Sequence, residues 1–171
     1  MRVAVNRELT CLKEIFYKAI DWNKFDGPNH ARKTKKLDEA VSRVRFLSVE
    51  EEEELLAVCD NPLRTIVLVG IYAGLRIQAE ALTLKWENVD LERRFLTVEA
   101  AYAKNKETEA IPMNAKLVEA LRELKKSKVG EYVFAKKDGA PFRSIKTTFT
   151  TACRHAKLRN VTPHTLRHTF T

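Results

Sequence analysis

Residues 63–73 leave this chain little choice about its centre. Ile66, Val67, Leu68, Val69, Ile71 and Tyr72 fill the segment with hardly a polar side chain to turn toward water. A helix that is apolar nearly all round is buried on every side, so this stretch predicts the central core helix. Asn61 and Pro62 restart the chain just before it, and Gly74 follows as a helix-ending residue. Gly74-Leu75-Arg76 then delivers an arginine straight off the core. The default position for an arginine beside a C-cap glycine is the surface. Against that, Ala79, Ala81, Leu82 and Leu84 keep a following helix, residues 77–84, packed, and an arginine between two buried elements is usually paired. Glu80, four residues on, is placed to hold its stem, and an anion could complete the arrangement.

Other elements must cover such a helix, and 171 residues suffice for one domain with a real core and part of a second. Residues 6–22 read as an amphipathic helix, with Leu9, Leu12, Ile15, Phe16, Ala19 and Ile20 recurring at three and four. Residues 23–44 lose that periodicity and carry the basic cluster Arg32, Lys33, Lys35 and Lys36, which suits a linker whose charges are either solvated or laid along a polyanion. Ser48 to Glu51 forms a capping box for a helix reaching about residue 59. Its glutamates lie in the first turns, where the helix dipole favours negative charge, and they mark a helix start rather than a metal site. Residues 94–100 and 108–113 alternate as strands, with Tyr102 to Glu107 as a polar hairpin tip between them. Asn114 caps a helix over residues 115–126, residues 132–134 suggest a short strand, and residues 144–157 form another helix with Phe149 and Ala152 inward. The fold class expected is α+β and mainly α, a helical domain with a small antiparallel β-sheet.

Charge is distributed unevenly. The net charge is +8, yet from Lys125 onward eleven Lys and Arg face only Glu131 and Asp138. Such a regional field is either a solvated basic face or a surface for a polyanion, with nucleic acid ahead of acidic protein or membrane. No apolar run approaches the length of a membrane span, and Met1 leads into a charged helix rather than a signal peptide. Cys11, Cys59 and Cys153 are odd in number and widely spaced, which fits free thiols in a reduced, cytoplasmic setting.

The basic region ends in Thr162-Pro163-His164-Thr165-Leu166-Arg167-His168. Thr162 is a good N-cap and Pro163 suits the first helical position. His164 and Arg167, three apart, then share one helix face near an electropositive end, where an anion would sit well. A guanidinium offers forked donors to phosphate oxygens, and an imidazole can donate or accept a proton beside it. A His-x-x-Arg alone is commonplace. His164 and His168 have the spacing of a zinc-binding helix, but Thr165 stands where that motif has its glutamate, so neither a metal nor another cofactor is assigned.

Taken in order, the Gly74-Leu75-Arg76 turn followed by residues 84–91, a hairpin lysine ahead of Ile111-Pro112, a basic helix, and the His-x-x-Arg at a helix start resemble the catalytic domain of the tyrosine recombinases, the phage integrase family. Counted back from Ile111-Pro112, Lys104 falls where the family's hairpin lysine does, with Lys106 its neighbour. The chain has one residue more between Arg76 and Trp86 than the commoner form of that block. The resemblance implies residues 1–24 as the last helix of a truncated core-binding domain, 25–45 as a linker, and 46–171 as the catalytic domain. It implies Arg76, Lys104, His164 and Arg167 as catalytic residues and a tyrosine nucleophile that no tyrosine of this sequence matches, so that these residues on their own would be inactive. The implied activity is DNA recombination and integration, in a phage or mobile element, through a 3′-phosphotyrosyl intermediate. Double-stranded DNA and other recombinase protomers in a tetrameric synapse are the implied partners, with no membrane and a bacterial, nucleoid-associated location. A DNA-binding module that clamps the backbone without chemistry is the alternative from a different class.

Overall fold

The computed structural model describes residues 2–38, 44–101 and 107–170. The chain divides into two compact units, Met1–Arg43 and Val44–Thr171.

The first unit is built on α1 (Arg2–Asp21), which starts four residues ahead of the apolar pattern. Its buried residue is polar. Asn6 donates through Nδ2 to the Leu37 carbonyl at 2.8 Å and accepts from the Leu37 N–H at 2.7 Å, closing a loop across 31 residues. Lys13 Nζ donates to the Thr34 carbonyl, Asn29 Nδ2 to the Lys13 carbonyl, and Phe16 meets Phe25 edge-on at 5.6 Å. Residues 25–38, read from the sequence as linker, are therefore fastened along α1. Side-chain bonds to backbone need no apolar period, which is why the pattern missed them. Leu12 and Ile15, on the apolar stripe of this amphipathic helix, are exposed.

The second unit begins with α2 (Val49–Ala57), started by the expected reciprocal bonds between Ser48 and Glu51. The central helix α3 (Leu63–Tyr72) is buried from Thr65 through Ile71. A single π-helical turn, Ile77–Ala81, replaces the helix expected over 77–84. A 3₁₀ turn, Trp86–Asn88, leads into three antiparallel strands in the order β1 (Val89–Asp90), β2 (Phe95–Val98) and β3 (Glu109–Pro112). Leu96 pairs with Val89 on one side and Ile111 on the other, which sets Leu96 and Val98 inward and leaves Phe95 exposed. β1 was not anticipated, since a two-residue strand is defined only by its partner. Residues 132–134 form no strand; Tyr132 makes one isolated bridge, to Lys85.

Three helices complete the unit: α4 (Ala115–Lys126), capped by Asn114 at 2.9 Å from Leu117 N, then α5 (Lys146–His155) and α6 (Pro163–Thr169). The architecture is mainly helical with a small antiparallel sheet. Leu55, Leu117, Leu121, Phe134, Phe149 and Leu166 are fully buried, each stabilising the unit by about 1.5–3 kcal/mol. α3 lies at the centre, against α4 and α6. Gly70 permits the second contact, because a Cβ there would stand 2.9 Å from Leu166 Cβ. Glu52 accepts from Tyr72 at 2.6 Å and Lys116 at 2.7 Å, bracing α2, α3 and α4. No helix among the described residues is long and apolar enough to cross a membrane.

Candidate active site

The end of α3 sets the first arginine. Ala73 caps the helix, and Gly74 turns the chain at φ 62°, a left-handed value that suits glycine. Phe170 closes over this turn, so that a Cβ on Gly74 would meet its ring at 2.7 Å. The extended backbone at Arg76 then opens the π turn, whose wide bonds run from Ala81 N to Arg76 O and from Leu82 N to Ile77 O. A π turn absorbs one extra residue within a helical path. The additional residue between Arg76 and Trp86 was the sequence signal for it, and it leaves Glu80 facing Arg76.

Glu80 is the hub. Its Oε2 accepts the Arg76 backbone N–H at 2.6 Å and its Oε1 accepts Arg76 Nε–H at 2.7 Å. Arg167 Nη1 lies 3.5 Å from Glu80 Oε2 and donates to the Gly74 carbonyl at 2.6 Å. Two guanidinium groups from segments far apart in the chain thus share one carboxylate. The side chain of Glu80 is only 7% exposed, against 29% for Arg76 and 43% for Arg167. The carboxylate is shielded while both cations keep a face toward solvent, and the trio carries one net positive charge. An arriving anion meets donors whose orientation is already fixed.

Arg167 reaches this point through α6. Thr162 and Thr165 form a capping box at its start, with Pro163 in the first turn as expected. Leu166 is driven into the core beside Gly70, and Thr169 accepts the Leu47 N–H at 2.9 Å, fixing the rotation of the helix. α6 has only seven residues, so the fixed charge of Arg167, rather than the helix dipole, supplies the attraction for an anion. His164, on the preceding turn, is exposed and meets His168 edge-on at 4.4 Å. No group of three or more His, Cys, Asp or Glu among the described residues could hold a metal ion.

Ala73, Gly74, Glu80, Arg167 and Phe170 form one wall of a cleft of about 550 Å³, and Val98 with Glu109 to Pro112 forms the other. The connection between β2 and β3 contains Lys104, which lies outside the described residues. The structure therefore brings Arg76 and Arg167 together and sets His164 one turn from Arg167. The roles of the Gly74 carbonyl, Phe170 and β3 in shaping the cleft were not read from the sequence, because each depends on a contact between distant segments.

This geometry has counterparts. Residues 45–171 match the model of the phage integrase family. The chain belongs to that family. The tyrosine recombinase XerA of Pyrococcus horikoshii is 32% identical over 98% of this chain and 58% of its own length. The integrase of Escherichia phage P2 is 28% identical over 98% of this chain and 46% of its own. The chain thus spans about half the length of these relatives. Lambda integrase (75–356), solved as a dimer bound to a COC′ core site, superimposes with a TM-score of 0.79 at 21% identity, covering 98% of this chain and 65% of that one. The Tn1549 transposon integrase in complex with circular intermediate DNA gives a TM-score of 0.76 at 20% identity, over 99% of this chain and 65% of its own. At those identities the likeness establishes the fold shared across the phage integrase family.

Proposed function

We propose that this chain provides the phosphate-activating part of a site-specific DNA recombinase, acting by strand cleavage and rejoining through a 3′-phosphotyrosyl intermediate. The observation that carries the reading is the convergence of Arg76 and Arg167 on Glu80, the carboxylate that lines the cleft together with Arg167. In this mechanism a tyrosine oxygen attacks phosphorus, the bond to the 5′ oxygen breaks, and that oxygen takes up a proton. Arg76 and Arg167 stabilise the charge that builds on the nonbridging oxygens. Lys104 protonates the leaving oxygen, and His164 assists proton transfer or orients the phosphate. Reversal by the 5′ hydroxyl of a second DNA end rejoins the strands.

The nucleophile comes from outside these residues. Tyr72 is engaged by Glu52 and Lys116, and burial together with the Glu52 bond raises its pKa, opposite to what a nucleophile needs. Residues 1–24 belong to a core-binding domain, 25–45 lead from it to the catalytic domain with 25–38 laid back along α1, and 46–171 carry the chemistry. Duplex DNA and further protomers on it are the partners, and the setting is the bacterial cytoplasm.

A nicked suicide duplex tests the proposal. The 171-residue chain should form no covalent adduct, and a version extended downstream to include a tyrosine should form one. In the extended version Arg76→Ala or Arg167→Ala should reduce adduct formation by about 10²–10³, as loss of an oxyanion donor does. His164→Ala should cost less, since water replaces a proton-transfer aid in part. Duplex binding without an adduct in the extended version would favour the non-catalytic clamp.

A further inference from the structure

His168 has no part in the chemistry proposed above, yet it stands four residues from His164 on α6. The two rings meet edge-on, with centroids 4.4 Å apart and planes at 81°. Both residues are exposed, so burial does not account for the contact. The side-chain hydrogen bonds of α6 run through Thr162, Thr165, Arg167 and Thr169, and neither imidazole joins a hydrogen bond or ion pair among the described residues. The frame beneath them is fixed. Thr162 and Thr165 cap the start of the helix, Leu166 is fully buried, and Thr169 is tied to Leu47. Two imidazoles on such a frame are gathered before any ligand arrives, which lowers the cost of ordering them on binding.

Their separation is close to that of a chelate. A metal–nitrogen bond of about 2.0–2.1 Å puts an imidazole centroid about 3.2 Å from the ion, and two such rings at angles between square and tetrahedral have centroids about 4.5–5.2 Å apart. The observed 4.4 Å needs only a small opening of the pair. Histidines at this spacing on one helix face are a familiar source of zinc ligands. The pair lacks what would make a zinc enzyme, since Thr165 stands in place of the glutamate and no third His, Cys, Asp or Glu joins it among the described residues. With two protein ligands, water fills the remaining positions and the ion stays exchangeable. Imidazole suits Zn²⁺, Ni²⁺ and Cu²⁺, whereas Mg²⁺ and Ca²⁺ require oxygen ligands. Arg167 is turned to the Gly74 carbonyl and Glu80, which draws its charge away from the pair.

We propose that His164 and His168 form an inhibitory site for a divalent d-block ion, Zn²⁺, Ni²⁺ or Cu²⁺, held by one nitrogen from each ring. The inhibitory part rests on the role given to His164 above. Two waters leave the hydrated ion as the two nitrogens bind. The ion then occupies the lone pair with which His164 would take up or pass on a proton, and it holds the ring toward His168. Metal exchange alone imposes and lifts the block.

Zinc chloride titrated into the 171-residue chain, followed by the imidazole resonances in NMR, tests the site. One equivalent should move His164 and His168 together and leave His30 and His155 in place, and the same concentration of Mg²⁺ should move none of them. His168→Asn should weaken zinc binding by about tenfold or more, Cys11→Ser should leave it unchanged, and matching thermal melts of the metal-free proteins would show that the fold is intact. Undiminished binding by His168→Asn, separate affinities for the two rings, or loss of binding in Cys11→Ser would overturn the chelate. In the extended version zinc should slow adduct formation on the suicide duplex to the rate left by His164→Ala, and a chelator should restore it. His168→Asn should cleave at the original rate with or without zinc. Undiminished cleavage by the zinc-loaded original would overturn the inhibition and leave the site. Absence of any adduct from the metal-free extended version would defeat the recombinase reading and the inhibition with it, while the titration decides the chelate.

Discussion

Arg76 is placed by polar bonds within one turn of chain, whereas Arg167 is placed by apolar packing that reaches across the unit. The first depends on Gly74, the π turn and Glu80, whose carboxylate accepts both the backbone and the side chain of Arg76. The second depends on Leu166, held at 0% exposure against α3 where Gly70 makes room. The difference teaches that one site can have two kinds of support. Disturbing the packing should move Arg167 and leave Arg76, and removing the carboxylate should loosen both.

Leu166→Ala should have the largest effect. Deleting a fully buried leucine costs about 2–5 kcal/mol through lost transfer energy and the cavity left behind, which chemical denaturation would measure. The bond from Arg167 to the Gly74 carbonyl should be lost in its crystal structure while that from Arg76 to Glu80 survives. Loss of both would break the distinction between the two supports.

Glu80→Ala comes next, at about 2–3 kcal/mol, since it leaves the Arg76 N–H unsatisfied and two guanidinium groups facing each other. The figure is set below that of a fully buried pair because both arginines are partly in water. Its effect on DNA strand cleavage in the extended protein should exceed that of Leu166→Ala at equal fraction folded. The reverse order would mean that packing alone orients the site.

Gly74→Ala should cost about 1–2 kcal/mol, combining a left-handed backbone with a displaced Phe170 ring. Thermal melting would detect it, and the change should fall on the Arg76 side, where the turn is made.

The smallest effect is a control on a buried thiol of the core. Burial, with the neighbouring Cys153 thiol contributing, pushes the Cys59 thiol up from 9.0 to about 11. An unfolded chain therefore releases this proton first, so the stability contributed is full below pH 9 and is lost as pH rises toward 11. Tyr72, also raised, acts in the same direction at higher pH. Cys59→Ala should flatten part of the alkaline decline in melts taken between pH 8 and 11, with Arg76 and Arg167 undisturbed.

How much of this was legible depends on the range of the interaction. α3 announced itself by composition, and α2, α4 and α6 by caps that lie within four residues of the groups they satisfy. His164 and Arg167 were found because one short motif contains both, and Arg76 because a glycine stops a core helix beside it. The π turn was visible only as one residue too many before Trp86. The fastening of residues 25–38 to α1 rests on Asn6 holding Leu37, a polar bond across 31 residues that leaves no period in the sequence. β1 exists through its pairing with β2, and the close approach at Gly70 through Leu166, so neither has a local signature. Lys104 was assigned by position in the hairpin, and its contribution falls to the cleavage measurements.

The central claim is that Arg76 and Arg167 act on one phosphate. A crystal structure of the second unit, or of the whole chain, with duplex DNA is the most direct measurement. The account predicts guanidinium nitrogens of both residues about 2.7–2.9 Å from nonbridging oxygens of a single phosphate in the cleft beside β3, with Glu80 still beneath them. Arg76 and Arg167 bound to different phosphates, or DNA lying across another face with the cleft empty, would contradict it.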